Sequence, residues 1–175
     1  MAEEELELRS LVRDVPDFPK EGILFKDVTP LLADPRGFRI AIDRLAEPFV
    51  GEGIDKVIGI ESRGFFLAGP LALALNAGLV IVRKKGKLPW KTRSVDYDLE
   101  YGTDTVEMHV DSVGPGERIL IADDLIATGG TCAATVKLAR EAGAEVVACT
   151  FLVELDFLAG RPKLGVERVH SLLHY

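Results

Sequence analysis

The residues best suited to chemistry lie in the stretch 118–131, which reads Arg-Ile-Leu-Ile-Ala-Asp-Asp-Leu-Ile-Ala-Thr-Gly-Gly-Thr. Four apolar residues lead into two adjacent carboxylates, Asp123 and Asp124, a pattern that predicts a buried strand with an acidic edge. A tight turn and a run with helical character follow. The residues of this turn are Ala127, Thr128, Gly129, Gly130 and Thr131.

Two kinds of binding chemistry adjoin in this stretch. Backbone N–H groups at a helix N-terminus, two hydroxyls and glycines that allow close approach suit a phosphate monoester. The carboxylates would repel phosphate, so they suit ribose hydroxyls, a divalent cation, or both. A 5-phosphorylated ribose matches both halves, whereas the alternative is a plain strand-to-helix turn. The patterns of a P-loop and of a dinucleotide fingerprint are absent here.

Composition places the chain among ordinary globular proteins. Its 175 residues, 47% hydrophobic and 28% charged, are enough for one compact domain. The net charge of −7 disfavours a general role on nucleic acid or on a membrane surface. The acidic start lacks the apolar core of a signal peptide, and no run reaches membrane-spanning length. Only two cysteines, Cys132 and Cys149, are present, so we expect a reducing cytoplasm.

Strand and helix patterns alternate along the chain, which predicts an α/β fold with a mostly parallel, twisted sheet and helices on both faces. We expect a single domain over 1–175, with a small hood from segment 1–34. Helices are predicted at 6–12, 35–50, 65–75 and from the glycine turn to about 140, and strands at 56–60, 79–82, 106–110 and within 145–155.

Three further sites could carry chemistry. Ser62 and Arg63 follow a buried strand and open a helix, so they suit pyrophosphate, unless Arg63 only caps a surface turn. Segment 86–104 is long and basic at both ends, as expected for a lid over a polyanion, with a solvated hairpin as the alternative. Glu100 is either a catalytic carboxylate or a surface glutamate.

Five segments together resemble the adenine phosphoribosyltransferase family of type I phosphoribosyltransferases. The stretch 118–131 resembles the superfamily's phosphoribosyl-pyrophosphate signature, and the other four segments narrow the resemblance to the adenine enzymes. Those four are Phe-Pro-Lys-Glu-Gly-Ile-Leu-Phe-Lys-Asp at 18–27, Glu-Ser-Arg-Gly at 61–64, Arg-Lys-Lys-Gly-Lys-Leu-Pro at 83–89 and Leu-Glu-Tyr-Gly at 99–102.

The resemblance implies a pentosyl transfer in which adenine and 5-phosphoribosyl 1-pyrophosphate give AMP and pyrophosphate. It also implies the type I fold with a flexible lid at 86–104, a homodimer, and Mg²⁺ that binds with the pyrophosphate substrate and has no direct protein ligand assigned. Two alternatives remain: a transferase for another purine base, and a non-catalytic sensor of phosphoribosyl pyrophosphate.

The resemblance also assigns roles to individual residues. Residues 127–131 would bind the 5′-phosphate, and Asp123 and Asp124 the ribose. Ser62, Arg63 and Lys87 would bind pyrophosphate, Lys87 across a dimer interface, with a cis peptide bond before Ser62. Leu24, Phe25 and Lys26 would frame adenine, largely through backbone groups. The catalytic set would be Glu100, Arg63 and Lys87, with Glu100 exchanging a proton with the base.

Overall fold

The computed structural model of the protein describes residues 2–98 and 102–175. In chain order the elements are α1 (Ala2–Ser10), β1 (Arg13–Pro16), β2 (Leu24–Asp27), α2 (Thr29–Ala33), α3 (Pro35–Ala46), β3 (Lys56–Ile60), α4 (Gly64–Ala74), β4 (Gly78–Lys84), β5 (Thr92–Asp98), β6 (Thr103–His109), β7 (Arg118–Ile126), α5 (Gly130–Glu141), β8 (Glu145–Glu154) and β9 (Val169–His174). Short 3-10 turns lie at Glu47–Phe49, Asp156–Leu158 and Arg161–Leu164.

Seven strands form the main sheet, in the order β5-β6-β4-β3-β7-β8-β9. The pairs β3–β4, β3–β7, β7–β8 and β8–β9 are parallel, whereas β4–β6 and β5–β6 are antiparallel. The predicted α/β fold with a mostly parallel sheet is therefore confirmed.

The central strands are buried on both faces because helices cover each side of the sheet. Along β7, Ile119 and Ile121 pack into the cluster beneath α5, while Leu120 packs into the cluster beneath α3 and α4. The same alternation along β3 sends Ile58 to the first cluster and Val57 to the second. This two-residue period is what a pleated strand requires, and it explains why these strands are apolar at successive positions.

Several boundaries differ from the prediction. Strand β7 does not end at the two carboxylates but continues to Ile126, because residues up to Ile126 stay paired with β8. The first helix covers Ala2–Ser10 rather than 6–12. The sequence reading also missed the antiparallel pair β1–β2, which lies within the predicted hood segment, and the edge strand β9.

Segment 86–104 contains the whole of β5 and the start of β6, which pair from Thr92↔His109 to Asp98↔Thr103. The segment is thus a hairpin, as the alternative predicted, but not a fully solvated one, because Val95 and Tyr97 are buried. Its closure as a lid stays a prediction. Residues 99–101, which include Glu100, lie outside the described residues. In the part of the chain that the structure describes, no helix is long and apolar enough to cross a membrane.

Candidate active site

Parallel pairing of β3 with β7 brings two of the predicted subsites together. The two strands are in register from Lys56↔Ile119 to Gly59↔Ala122, so the turn after β3 lies beside the carboxylates of β7. Arg63 Nε donates a hydrogen bond to Asp124 Oδ2 at 2.5 Å. A side chain at Gly64 would meet Asp123 Oδ1 at 2.7 Å, so glycine is required for this approach.

The two carboxylates of β7 have different environments. The Asp124 side chain is almost fully buried and pairs with Arg63. Burial of the Asp123 carboxyl and the negative charge of Asp124 raise the pKa of Asp123 well above its usual range, although Arg63 lowers it. The adjacent carboxyl groups of Asp123 and Asp124 offer oxygen atoms that can accept hydrogen bonds from the paired hydroxyls of a ribose.

The glycine turn connects β7 to α5 and shares a cavity with one of the carboxylates. Gly129 has φ +79° and directly precedes the first residue of α5, so helix N–H groups open towards the turn. The cavity has a volume of about 120 Å³, and Asp123 and residues 125–132 line it. The structure thus brings the predicted phosphate turn and the predicted ribose site together.

The β5–β6 hairpin contacts this turn through the hydroxyl of Tyr97. Thr131 Oγ1 lies 3.2 Å from the Tyr97 hydroxyl, which also accepts a hydrogen bond from Lys84 Nζ and lies 3.2 Å from Asp104 Oδ2. These hydrogen bonds connect the hairpin and the turn in one polar network. Tyr97 lies at the centre of the network and is nearly buried, so its hydroxyl is largely shielded from water.

The predicted pyrophosphate turn has the expected backbone, because the Glu61–Ser62 peptide bond is cis. Three residues donate to the Glu61 carboxylate: Lys87 through Nζ, Lys84 through its backbone N–H at 2.9 Å, and Arg83 through Nε at 3.2 Å and Nη2 at 3.4 Å. Burial alone would raise the pKa of Glu61, but these hydrogen bonds outweigh it and lower the pKa to about 2. Lys87 is therefore held beside Ser62 by its own chain.

A second cavity, of about 340 Å³, opens between the β1–β2 hairpin and Arg63. The rings of Phe18 and Phe25 meet edge to face at 5.1 Å, and the Arg63 guanidinium lies 5.5 Å from the Phe25 centroid. Arg63 therefore borders both this cavity and the Asp124 carboxylate, which is predicted to bind ribose. The remaining lining residues are Val15, Asp27 and Thr29.

Only one of the three residues predicted to frame adenine lines this cavity. Phe25 lines the cavity, whereas Leu24 and Lys26 are not among its lining residues. The Lys26 ammonium instead pairs with Asp14 at 2.5 Å and lies 4.0 Å from the centre of the Tyr175 ring. Any role of Lys26 at this cavity therefore falls to its backbone.

The sequence reading missed Phe18 as a cavity residue and Glu61 as the partner of Lys87, although both lie within quoted motifs. The two phenylalanines of this segment, Phe18 and Phe25, on either side of a turn with Pro19 and Gly22, were an available signal for an aromatic wall. Val15 and Thr29 lie outside those motifs, and only the folded hairpin brings them to the cavity.

A family model for the phosphoribosyl transferase domain matches residues 31–166. Adenine phosphoribosyltransferases of Syntrophotalea carbinolica and Geotalea daltonii are 53% and 56% identical to this chain, and each match covers 97% of this chain and 99% of the relative. The chain belongs to the adenine phosphoribosyltransferase family.

Solved structures of the adenine phosphoribosyltransferase family agree with this assignment. The Rhodothermus marinus enzyme superimposes with a TM-score of 0.96 at 55% identity over the whole of both chains. The Saccharomyces cerevisiae enzyme, crystallised with adenine and an imino-altritol bisphosphate, gives 0.93 at 41% identity over 98% of this chain and 99% of that one. The type I phosphoribosyltransferase fold is thereby confirmed.

The hydrogen bonds to Glu61 predict a dependence of stability on pH. The folded pKa of about 2 lies below the ordinary value of 4.5, so this stabilisation is complete above pH 4.5 and is lost as pH falls towards 2. We expect Glu61→Gln to lower the free energy of unfolding by roughly 2 kcal/mol at pH 7, and by progressively less below pH 4.5.

Urea unfolding of both proteins between pH 7 and pH 3 measures this difference. The exposed Glu21→Gln is the matched control and should change the free energy of unfolding little. A gap between wild type and Glu61→Gln that stays constant down to pH 3 would contradict the assignment of the stabilising charge to Glu61.

Proposed function

We propose that the protein transfers the phosphoribosyl group of 5-phosphoribosyl 1-pyrophosphate to adenine, yielding AMP and pyrophosphate. The observation that carries the proposal is the position of Arg63, which borders the aromatic cavity on one side and the ribose carboxylate Asp124 on the other. The phosphate turn continues from those carboxylates. The subsites thus follow the order of base, ribose and 5′-phosphate in the product.

The proposed chemistry breaks the bond between C1 of the ribose and the pyrophosphate oxygen. The electron pair leaves with pyrophosphate, N9 of adenine forms the new bond to C1, and the N9 proton goes to a base. Arg63, Ser62 and Lys87 would bind the departing pyrophosphate, because negative charge develops there. Asp123 and Asp124 would hold the ribose hydroxyls and keep C1 aligned with the base cavity.

We propose that Mg²⁺ enters with the phosphoribosyl pyrophosphate. The hard oxygens of Asp123 and Asp124 fit the hydrated ion or the ribose hydroxyls that it binds, since Mg²⁺ keeps several waters and prefers substrate phosphates. Among the described residues, one group of three potential metal ligands is present, and none of its members belongs to the predicted site: Glu154, Asp156 and His174. The ion would supply positive charge for the leaving pyrophosphate.

The apolar cavity lined by Phe18, Phe25 and Arg63 suits a purine ring, which can stack against an aromatic or guanidinium face. Adenine is favoured over other bases because the chain resembles, over nearly its full length, enzymes that are named for adenine.

A cytoplasmic location is proposed because both cysteines are free thiols, and a reducing compartment keeps thiols free.

One assay tests the proposed function. The protein is incubated with Mg²⁺, phosphoribosyl pyrophosphate and adenine, hypoxanthine, guanine or xanthine in turn, and nucleotides are separated by chromatography. We expect AMP from adenine and little product from the other bases. If a nucleotide forms from a different base, that base is the substrate instead of adenine. If no nucleotide forms from any base, the sensor alternative is favoured.

Arg63→Met should remove the activity, whereas the exposed Arg36→Met should retain it.

Glu100 is the proposed proton carrier for N9 of adenine, on the strength of the family resemblance. We expect Glu100→Gln to lower kcat by about 10²–10⁴-fold, the usual contribution of a general acid–base group. Phosphoribosyl-pyrophosphate binding should change little, because the amide keeps the size of the side chain. Steady-state kinetics with the exposed Glu141→Gln as control measure both quantities, and an unimpaired kcat would remove Glu100 from the mechanism.

A homodimer is proposed because α4 and the adjacent β4 expose large apolar side chains. Phe66 and Leu73 on α4 are 57% and 85% exposed, and Leu79 and Ile81 on β4 are 51% and 38% exposed. Such side chains favour association with a second apolar surface. Lys87 follows β4 closely, so the dimer could bring it to a partner's site as well as to its own.

Mixing two inactive variants distinguishes these positions of Lys87. Lys87→Ala and Arg63→Met are unfolded together, refolded as a statistical mixture and assayed. If Lys87 acts across the dimer, each mixed dimer contains one intact site, so about a quarter of wild-type activity should return with random pairing of two subunits. Light scattering verifies that the refolded mixture contains dimers. If these dimers regain no activity, Lys87 acts in the site of its own chain.

A further inference from the structure

A segment far along the chain presses directly on the phosphate turn. The backbone at Gly160 is so close to Gly129 that a Cβ on Gly129 would lie 2.5 Å from the Gly160 carbonyl oxygen. Conversely, a Cβ on Gly160 would lie 2.2 Å from the Ala127 carbonyl oxygen and 2.9 Å from Gly129 N. All three distances are shorter than real Cβ contacts, so two glycines are needed for this backbone packing.

Local conformation directs Gly160 onto the turn. Ala159 has φ +48°, a left-handed conformation that is uncommon for a residue with a Cβ and reverses the chain there. Leu164, four residues beyond Gly160, is buried beneath α5. The segment between them is therefore anchored in the core while its first residue rests on the turn.

Arg161 fixes this segment to the main sheet. Its Nε and Nη2 donate to the two oxygens of the Glu154 carboxylate at 3.0 and 2.5 Å, and its Nη1 donates to the Val169 carbonyl at 3.0 Å. Glu154 also accepts from Ser171 Oγ at 2.6 Å. A two-pronged pair of this kind sets orientation as well as distance, because the guanidinium and the carboxylate are both planar.

The Glu154 carboxylate is well suited to this task. Hydrogen bonds from Arg161 hold the pKa of Glu154 below its usual range despite its burial. Glu154 is the last residue of β8 and pairs in register with Ile126, the residue before the turn. The anchor and the turn therefore rest on the same two strands.

We infer that Gly160 and Arg161 are positioning residues that hold turn 127–131 in the shape that binds the 5′-phosphate. Neither residue needs to touch the ligand. Gly160 blocks outward movement of the turn backbone, and Arg161 keeps Gly160 in place. The inference rests on the proposed function only for the identity of the ligand, a phosphorylated ribose, because the packing itself is independent of the reaction.

Gly160→Ala tests the contact. The added methyl must displace Ala127 and Gly129, so we expect the KM for phosphoribosyl pyrophosphate to rise by roughly 10–100-fold, with kcat and the KM for adenine much less affected. Gly114→Ala is the control, because its new Cβ would find its nearest neighbour at 3.8 Å. Equal kinetics for Gly160→Ala and wild type would overturn the inference.

Arg161→Met and Arg161→Lys test the anchor without adding atoms at the turn. The methionine variant should weaken binding of ribose 5-phosphate, measured by calorimetry, by about 10-fold, and lysine should restore part of it. Arg118→Met removes another arginine pair, with Glu145, and should leave ribose 5-phosphate binding unchanged. Circular dichroism verifies that each variant is folded.

The calorimetric arm separates this inference from the proposed reaction. If the wild type binds ribose 5-phosphate but makes no nucleotide, the proposed function fails, and the Arg161 variants still test the positioning role. If Arg161→Met binds ribose 5-phosphate as tightly as wild type, the positioning role is wrong whatever the enzyme activity. If the wild type does not bind ribose 5-phosphate, the inference is overturned together with the phosphate site.

Discussion

Parallel pairing of β3 with β7 is the constraint on which the rest of the site depends. Parallel neighbours end at the same edge of a sheet, so residues separated by 61 positions in sequence meet there as Arg63 and Asp124. Gly64 lets the helix after β3 begin against Asp123 without a side chain in between. A shift of one residue in this register would send each side chain of β7 to the opposite face of the sheet and separate the ion pair.

Charge pairing explains how a chain with a net charge of −7 can present cations to a polyanion. The two cations assigned to pyrophosphate each contact a carboxylate of the same chain: Arg63 contacts Asp124, and Lys87 contacts Glu61. Such pairs hold the cations in place at the edge of the site. Arg63 uses one of its five N–H donors for Asp124, so binding of an anion does not require this bond to break.

Elements with short-range signals were predictable from the sequence. The apolar run of β3 and the glycine turn before α5 lie where their patterns indicated, because burial on both faces and a positive φ leave local traces. Strands β1, β2 and β9 were missed because their partners, rather than their composition, determine that they are strands. The wall of the aromatic cavity depends on two of these missed strands, β1 and β2, so only part of it could be named.

Gly129 shows why a correct local reading can still be incomplete. Its positive φ and its place before a helix are sufficient reasons for glycine in a turn that is predicted to bind phosphate. The fold adds a separate reason, because the Gly160 backbone occupies the space that a side chain at 129 would take. Residues 129 and 160 are distant in sequence, and neither position by itself indicates the other. A glycine in a ligand-binding turn can therefore be required by the backbone behind the turn as strictly as by the ligand in front of it.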